Sequence, residues 1–226
     1  MQSTDFEVRK TAYSDLWHIV DFQGLISVRS PENDRVRLAL IRLLEAETAA
    51  SKLDKPASRT EGAAEYIFGL TQTVSALHDD RAISSLVNVM TWSGANVVQY
   101  GDKALEPVIA QLKSPDALVR FRALQVAAII LESKKDDPSR NRRVEELLRV
   151  FIKDRDAVVR RVAVREVACL SSREYYVPML QEIAKTDPAK LPGRADDGFE
   201  TDGFYFVRFE ARRTIRKIQT NAPCEH

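Results

Sequence analysis

Residues 114–131, SPDALVRFRALQVAAIIL, form the unit on which the chain is built. Ser114-Pro115-Asp116 is a turn that leaves Asp116 at a helix N-cap, where a short carboxylate accepts from the otherwise orphaned amides of the first turn. The residues after it run in helical period: Val119, Ala123, Ala127 and Ile130 share a face, with Arg120 beside it. Forty residues on, DRDAVVRRVAVREVACL repeats the pattern as Asp156, Val159, Arg160, Ala163, Val167 and Leu170. A third copy, YFVRFEARRTIRKI, carries Val207, Arg208, Ala211, Ile215 and Ile218, offset by 48 from the second. Register kept over four apolar columns predicts an all-α chain built of repeated units.

A shorter helix precedes each copy. ALEPVIAQL (104–112) buries Leu105, Val108 and Leu112, with Pro107 early, where a missing amide costs least. Val144, Leu147 and Phe151 are expected to answer that stripe in the next unit, and Met179 and Ile183 in the last, where Pro178 takes the place of Pro107. Each unit is then two antiparallel helices joined by a tight turn, SPD or KDRD. The last unit instead holds an insertion, Thr186 to Gly203, which explains the longer offset. Phe204 stands there where the cap aspartate would be.

Upstream the pattern is fainter. Residues 1–10 read as polar and frayed, and a helix is expected from Tyr13 to about Ile26, with Leu16, Trp17, Ile19, Val20 and Gln23 near one face. Residues 30–34 form a turn with Asn33 in the capping place, and Val36-Arg37 repeats the Val-Arg pair. Leu53 to Glu61 reads as a loop, Gly62 to His78 as a helix, and Ile83 to Met90 as a short helix. Trp92-Ser93-Gly94 reads as a break, and Ala95 to Tyr100 as a turn or two ending at Gly101.

The 226 residues are ample for a core, and 34 basic against 33 acidic residues give a net charge of +1. No global field therefore favours nucleic acid or an acidic membrane. No run of 18 apolar residues occurs, so no membrane span is expected. MQSTDFEVRK lacks a signal-peptide core, yet Gln2 after Met1 would also suit a mature chain whose leader was replaced. The compartment stays open between cytoplasmic and periplasmic or secreted. Cys169 and Cys224 are the two cysteines. One buried and one loose thiol are expected rather than a disulfide, since no cysteine framework exists.

The period near 40 resembles that of HEAT repeats, with Pro107 and Pro178 in first helices and the Asp-x-x-Val-Arg-x-x-Ala opening of the second helices. The residues that carry the resemblance are Asp116, Val119, Arg120 and Ala123, then Asp156, Val159, Arg160 and Ala163, and Val207, Arg208 and Ala211. The openings at Asp80 and Asp102 look like the phycobilisome-lyase type of HEAT-like repeat. The resemblance implies a right-handed α-α superhelix, here of about five helix pairs, that binds proteins or, less often, nucleic acid. On that reading 1–226 is a single domain: an irregular N-terminal cap over 1–61, repeats over 62–186, an insertion over 187–203, and a last helix with tail over 204–226. The repeated Asp and Arg read as structural, Asp capping its helix and pairing with an Arg of its own or of the next repeat.

Chemistry-bearing motifs are scarce. The three histidines, His18, His78 and His226, form no metal-binding spacing, and no glycine-rich phosphate loop exists, so neither metal nor cofactor is expected. Asp196, Asp197, Glu200 and Asp202 lack EF-hand spacing and read as a solvated acidic loop. The function expected is a non-enzymatic scaffold, itself a monomer, binding a protein or peptide along the row of second helices. The candidate contacts are Arg122, Gln125, Arg161 and Arg165, with Phe199 and Tyr205 from the insertion. One rival is a bilin-lyase-like enzyme or subunit, which needs an apolar pocket beside a reactive group. The other is nucleic-acid binding through the basic last helix, superficially similar to alkylpurine DNA glycosylases of the HEAT-like class.

Overall fold

A computed structural model describes residues 5–19, 24, 30–53, 63–133, 137–190 and 205–223. Among these residues the regular structure is helical throughout, with no strand. Among the described residues no helix is long and apolar enough to cross a membrane. The chain divides into two compact units, Met1–Pro107 and Val108–His226.

The first unit holds α1 (Phe6–Ile19), α2 (Pro31–Leu53), α3 (Ala63–Ala76), α4 (Ile83–Asn88) and α5 (Met90–Val98), and α6 (Asp102–Gln111) begins in it. Helix α2 packs on α3 and α4, and α5 packs on α3 and α4. They close over Leu40, Leu44, Leu70, Val74, Leu86 and Met90. Two expectations are corrected here. The N-terminus is not frayed from residue 6 onward, because Arg9 is ion-paired to the buried Glu47 and Tyr13 Oη lies 2.7 Å from Thr73 Oγ1. The helix over Trp92-Ser93-Gly94 is continuous. A mid-helix glycine costs about 1 kcal/mol, and burial of Met90 and Val97 on either side outweighs it. Gly101 does adopt a left-handed φ of 52°, as a helix-terminating glycine should. The expected loop at 53–61 lies almost wholly outside the described residues, as do Val20, Gln23 and the side chains of Leu16, Trp17 and Ile19.

The second unit holds α7 (Ala117–Glu132), α8 (Pro138–Phe151), α9 (Ala157–Glu166), α10 (Val177–Thr186) and α11 (Phe206–Gln219). Helix α9 packs on both α7 and α11, so the three copies of the repeated stretch form a continuous row. Helix α8 lies against α7 and α9, and α10 against α11. Asp116 and Asp156 cap their helices as expected, accepting from Leu118 N at 2.8 Å and Val158 N at 2.9 Å. Tyr205, ahead of α11, makes no capping bond with its side chain. Ala123, Ala163 and Ala211 are fully buried, and a larger side chain at these positions would push the helices apart. Val159 and Val207 are fully buried too, while Val119 is half-buried.

The outer helices are rotated from expectation. Val144, Leu148 and Phe151 face the core of α8, not Leu147, and Leu180 and Ala184 face that of α10, not Met179 and Ile183. A period of 3.6 leaves two neighbouring readings of a short helix, and the partner it packs on chooses between them.

Candidate functional site

The row of α7, α9 and α11 is held by a ladder of arginines. Arg120 donates through Nε and Nη2 to Asp154 at 3.0 and 2.8 Å. Its Nη1 donates to the Ser114 and Pro115 carbonyls of its own turn, each at 2.9 Å. Arg160 repeats this one layer on, to Asp187 at 2.8 and 3.0 Å and to the Asp154 carbonyl at 2.9 Å. Arg208 ends the series, its Nε donating to the Asp187 carbonyl at 2.6 Å and its guanidinium lying 3.9 Å from the Tyr205 ring centre. In the first unit Arg37 takes the same role, donating to the Leu77 carbonyl at 3.0 Å and lying 3.8 Å from Asp79. Arg120 and Arg160 do pair with a neighbouring layer, but their acids, Asp154 and Asp187, are not the helix caps Asp116 and Asp156. The caps stay on their own helices, and the planar guanidinium takes a second, turn-borne aspartate in a two-bond fork.

Burial opposes ionisation of Asp154, but the Arg120 guanidinium and the Asp156 amide outweigh it and hold the carboxyl below its ordinary range. Asp187 is held down in the same way by Arg160 and the Ala189 amide against its burial. Both groups therefore release their protons more readily folded than unfolded, and the unfolded chain takes up the extra protons in acid. Their stabilisation is complete above the unfolded carboxylate value near ~3.9 and is lost as pH falls through the depressed folded values. The thermal midpoint should hold down to about pH 4 and fall below it. Asp187→Asn should flatten that descent, and parallel descents for variant and parent would reject the assignment.

The exposed face of the row mixes arginines with apolar side chains. Leu118 on α7, Val158 on α9 and Phe209 on α11 are 51%, 44% and 52% exposed. Leu118 and Val158 stand at the same offset of 40 as the buried columns. Arg122 stacks 5.0 Å over Phe121 and donates to Gln125 at 3.0 Å. Arg161 donates to the buried Glu210 at 3.1 Å, and Arg165 to the fully buried Glu166 at 2.6 Å. Arg122, Gln125, Arg161 and Arg165 thus share the row, but both α9 arginines also neutralise a buried carboxylate. Tyr205 sits at the entry of α11, between Arg208 and, at 5.7 Å, Lys190. Phe199 and the acids at 196, 197, 200 and 202 lie outside the described residues.

The cysteine expectation is overturned. Cys169, at the end of a 3-10 turn after α9, is disulfide-bonded, and the chain's one other cysteine, Cys224, lies outside the described residues. Carboxylate oxygens of Glu132 and Glu166 lie within 4.8 Å of the Cys169 sulfur and of each other. With the sulfur oxidised and Arg165 on Glu166, this cluster lacks the thiolate that would make it a soft-metal donor set. A cavity of 260 Å³ adjoins it, lined by Asn141, Ser171 and Arg173 among others. A second cavity, of 490 Å³, lies on the outer helices between Arg149, Lys153, Tyr175, Tyr176, Pro178 and Met179. Burial raises the Tyr176 phenol above its ordinary range; its Oη accepts from Arg149 Nε at 3.1 Å.

No family model matches this chain, and neither a curated protein nor a solved structure is found to be similar to it.

What sequence reasoning missed are the exposed apolar positions. Leu118 and Val158 carried a signal, since each follows its cap by two residues and falls off the buried stripe. Phe209 shares a column with Phe121 and Arg161, and nothing local separates an exposed phenylalanine there from a buried one.

Proposed function

We propose that the chain is a HEAT-like helical solenoid of about five helix pairs, acting as a non-enzymatic scaffold that binds a protein or peptide. The contact surface is the exposed face of α7, α9 and α11. The observation that carries this reading is the placement of Leu118, Val158 and Phe209 on three successive helices, each about half exposed and set among arginines. Large apolar side chains beside arginine are the composition of interface centres. The ladder of Arg120, Arg160 and Arg208 supports the reading further, because it holds the row rigid without occupying its outer face.

The bilin-lyase-like alternative needs a reactive group beside an apolar pocket. The 490 Å³ cavity offers the Tyr176 phenol, which accepts from Arg149 Nε at 3.1 Å. Nucleic-acid binding finds its support in the arginines of α11 alone.

Arg161 and Arg165 are poor test positions, because each donates to a buried carboxylate and its removal would cost stability by itself. Leu118→Lys combined with Val158→Lys changes two exposed positions and should shift stability by no more than about 0.5 kcal/mol. Recovery of the native partner from source extract should nevertheless fall roughly tenfold, the loss of about 1.4 kcal/mol expected when interface anchors are removed. Unchanged recovery by the folded double variant rejects the surface.

A further inference from the structure

The exposed side of α11 is a stripe of one aromatic and three arginines. Phe209, Arg212, Arg213 and Arg216 stand at i, i+3, i+4 and i+7, all exposed, and together they line a cavity of 410 Å³. In the preceding copies the columns of Arg212 and Arg216 are apolar and sealed. Leu124 and Ala128 hold them on α7, and Val164 on α9 and Ala168 in the 3-10 turn that follows it, none more than 5% exposed. The last helix thus replaces the residues that would receive another layer with guanidinium groups.

Closing an array needs a polar outer face, and mixed charges would serve that purpose. This stripe has one sign only. Glu210, the one acid of α11, is buried at the edge of the stripe and accepts from Arg161. Arg213 reaches it at 4.0 Å. Arg212 donates to the Ala184 carbonyl at 3.4 Å, and neither Arg212 nor Arg216 has a carboxylate partner among the described residues. Like charges three and four residues apart on a helix repel one another. An aromatic ring half in water adds a second unfavourable feature at the same place. Both are relieved by one kind of occupant, an anionic segment that also carries an apolar side chain.

We propose that this stripe docks an acidic peptide segment of the partner, its carboxylates on Arg212, Arg213 and Arg216 and one large apolar side chain against Phe209. The inference rests on the scaffold reading and gives its partner a chemistry. Guanidinium groups bind carboxylates in planar two-bond forks, and an apolar contact beside them excludes water from those bonds. The stripe is two helical turns, about 10 Å long, which matches a few extended residues. A nucleic-acid track would need a longer run of positive charge than a chain of net charge +1 presents.

The test is fluorescence anisotropy on the full chain with a labelled peptide of about a dozen residues, alternating Asp and Glu around one Phe. Comparison probes replace the Phe by Ser, replace the acids by Lys, or substitute a thymidine oligonucleotide of equal length. The expected result is binding of the acidic Phe peptide, weakening with salt and falling roughly tenfold or more in Arg212→Glu/Arg216→Glu. Phe209→Ser should weaken it severalfold, while Val150→Ser, at an exposed position on the outer helix α8, should leave it intact. Should the glutamate variant fail to fold by circular dichroism, Arg212→Ala/Arg216→Ala replaces it. Equal binding by variant and parent overturns the proposal, and so does tighter binding of the oligonucleotide. If the native partner is lost by the Leu118/Val158 variant but kept by the arginine variant, this inference falls and the scaffold reading stands. If both variants keep the partner, both fall.

Discussion

Replacing Asp154 by alanine lowers stability by about 3–5 kcal/mol, whereas replacing Asp156, two residues on, lowers it by about 1 kcal/mol. Both are aspartates of one turn; they differ in their partners and in side-chain burial. Asp156 caps α9 through a single bond to Val158 N and is half-buried. Asp154 accepts two bonds from Arg120, both side chains being under 10% exposed, and one more from the Asp156 amide at 2.7 Å. Without Asp154, Arg120 keeps the Ser114 and Pro115 carbonyls but loses its counter-charge. A buried guanidinium with only neutral acceptors is the costly case, because it keeps its desolvation penalty and loses the attraction that offset it. Asp154→Asn keeps the shape and should fall between the two. Urea unfolding of the three variants decides the matter through their midpoints, provided the slope is unchanged. In thermal melts the contrast is roughly 10 °C against about 3 °C for a chain of this size. Equal losses for Asp154 and Asp156 would mean that the layers are not held by the ladder.

Cys224→Ser is the second large effect, with an expected loss of about 2–4 kcal/mol. Cys169 is disulfide-bonded and the chain's one other cysteine is Cys224, so a loop closed between the two would span 169 to 224. A loop of that length costs the unfolded chain about 4 kcal/mol of closure entropy. The upper figure is reduced because the tail has further anchors. Arg173 donates to the Ala168 carbonyl at 3.2 Å, to the Ala222 carbonyl at 3.5 Å and to Asn221 Oδ1. These contacts keep Ala222 near α9 when the disulfide is open. Cys224→Ser is preferred to a change at Cys169, whose sulfur lies beside Glu132 and Glu166. The parent should lose thermal stability on adding reductant, and the variant should not. Alkylation of two free thiols in native protein prepared without reductant would contradict the disulfide.

Part of the candidate surface was legible before any coordinates. The offset of 40 that aligns Ala123 with Ala163 also aligns Arg120 with Arg160, and Arg122, Gln125, Arg161 and Arg165 do lie on one row. Their occupancy was not legible. Arg161 meets Glu210 across 49 positions and Arg120 meets Asp154 across 34, and nothing in either local stretch names the partner. The rotation of α8 and α10 has the same origin: Leu147 or Leu148, Met179 or Leu180 satisfy the period equally until a neighbour is present.

The sequence by itself determined the helices and their repetition: the caps at Asp116 and Asp156, the small residues at 123, 163 and 211, and the arginine that follows each valine. These are decided within a turn or two, where backbone amides, side-chain period and cap chemistry are neighbours along the chain. Only the tertiary structure decided which aspartate each arginine takes, which face the outer helices bury, and that Cys169 is oxidised. Those outcomes depend on groups brought together by packing, and the free energy that selects them exists only once the layers are in contact.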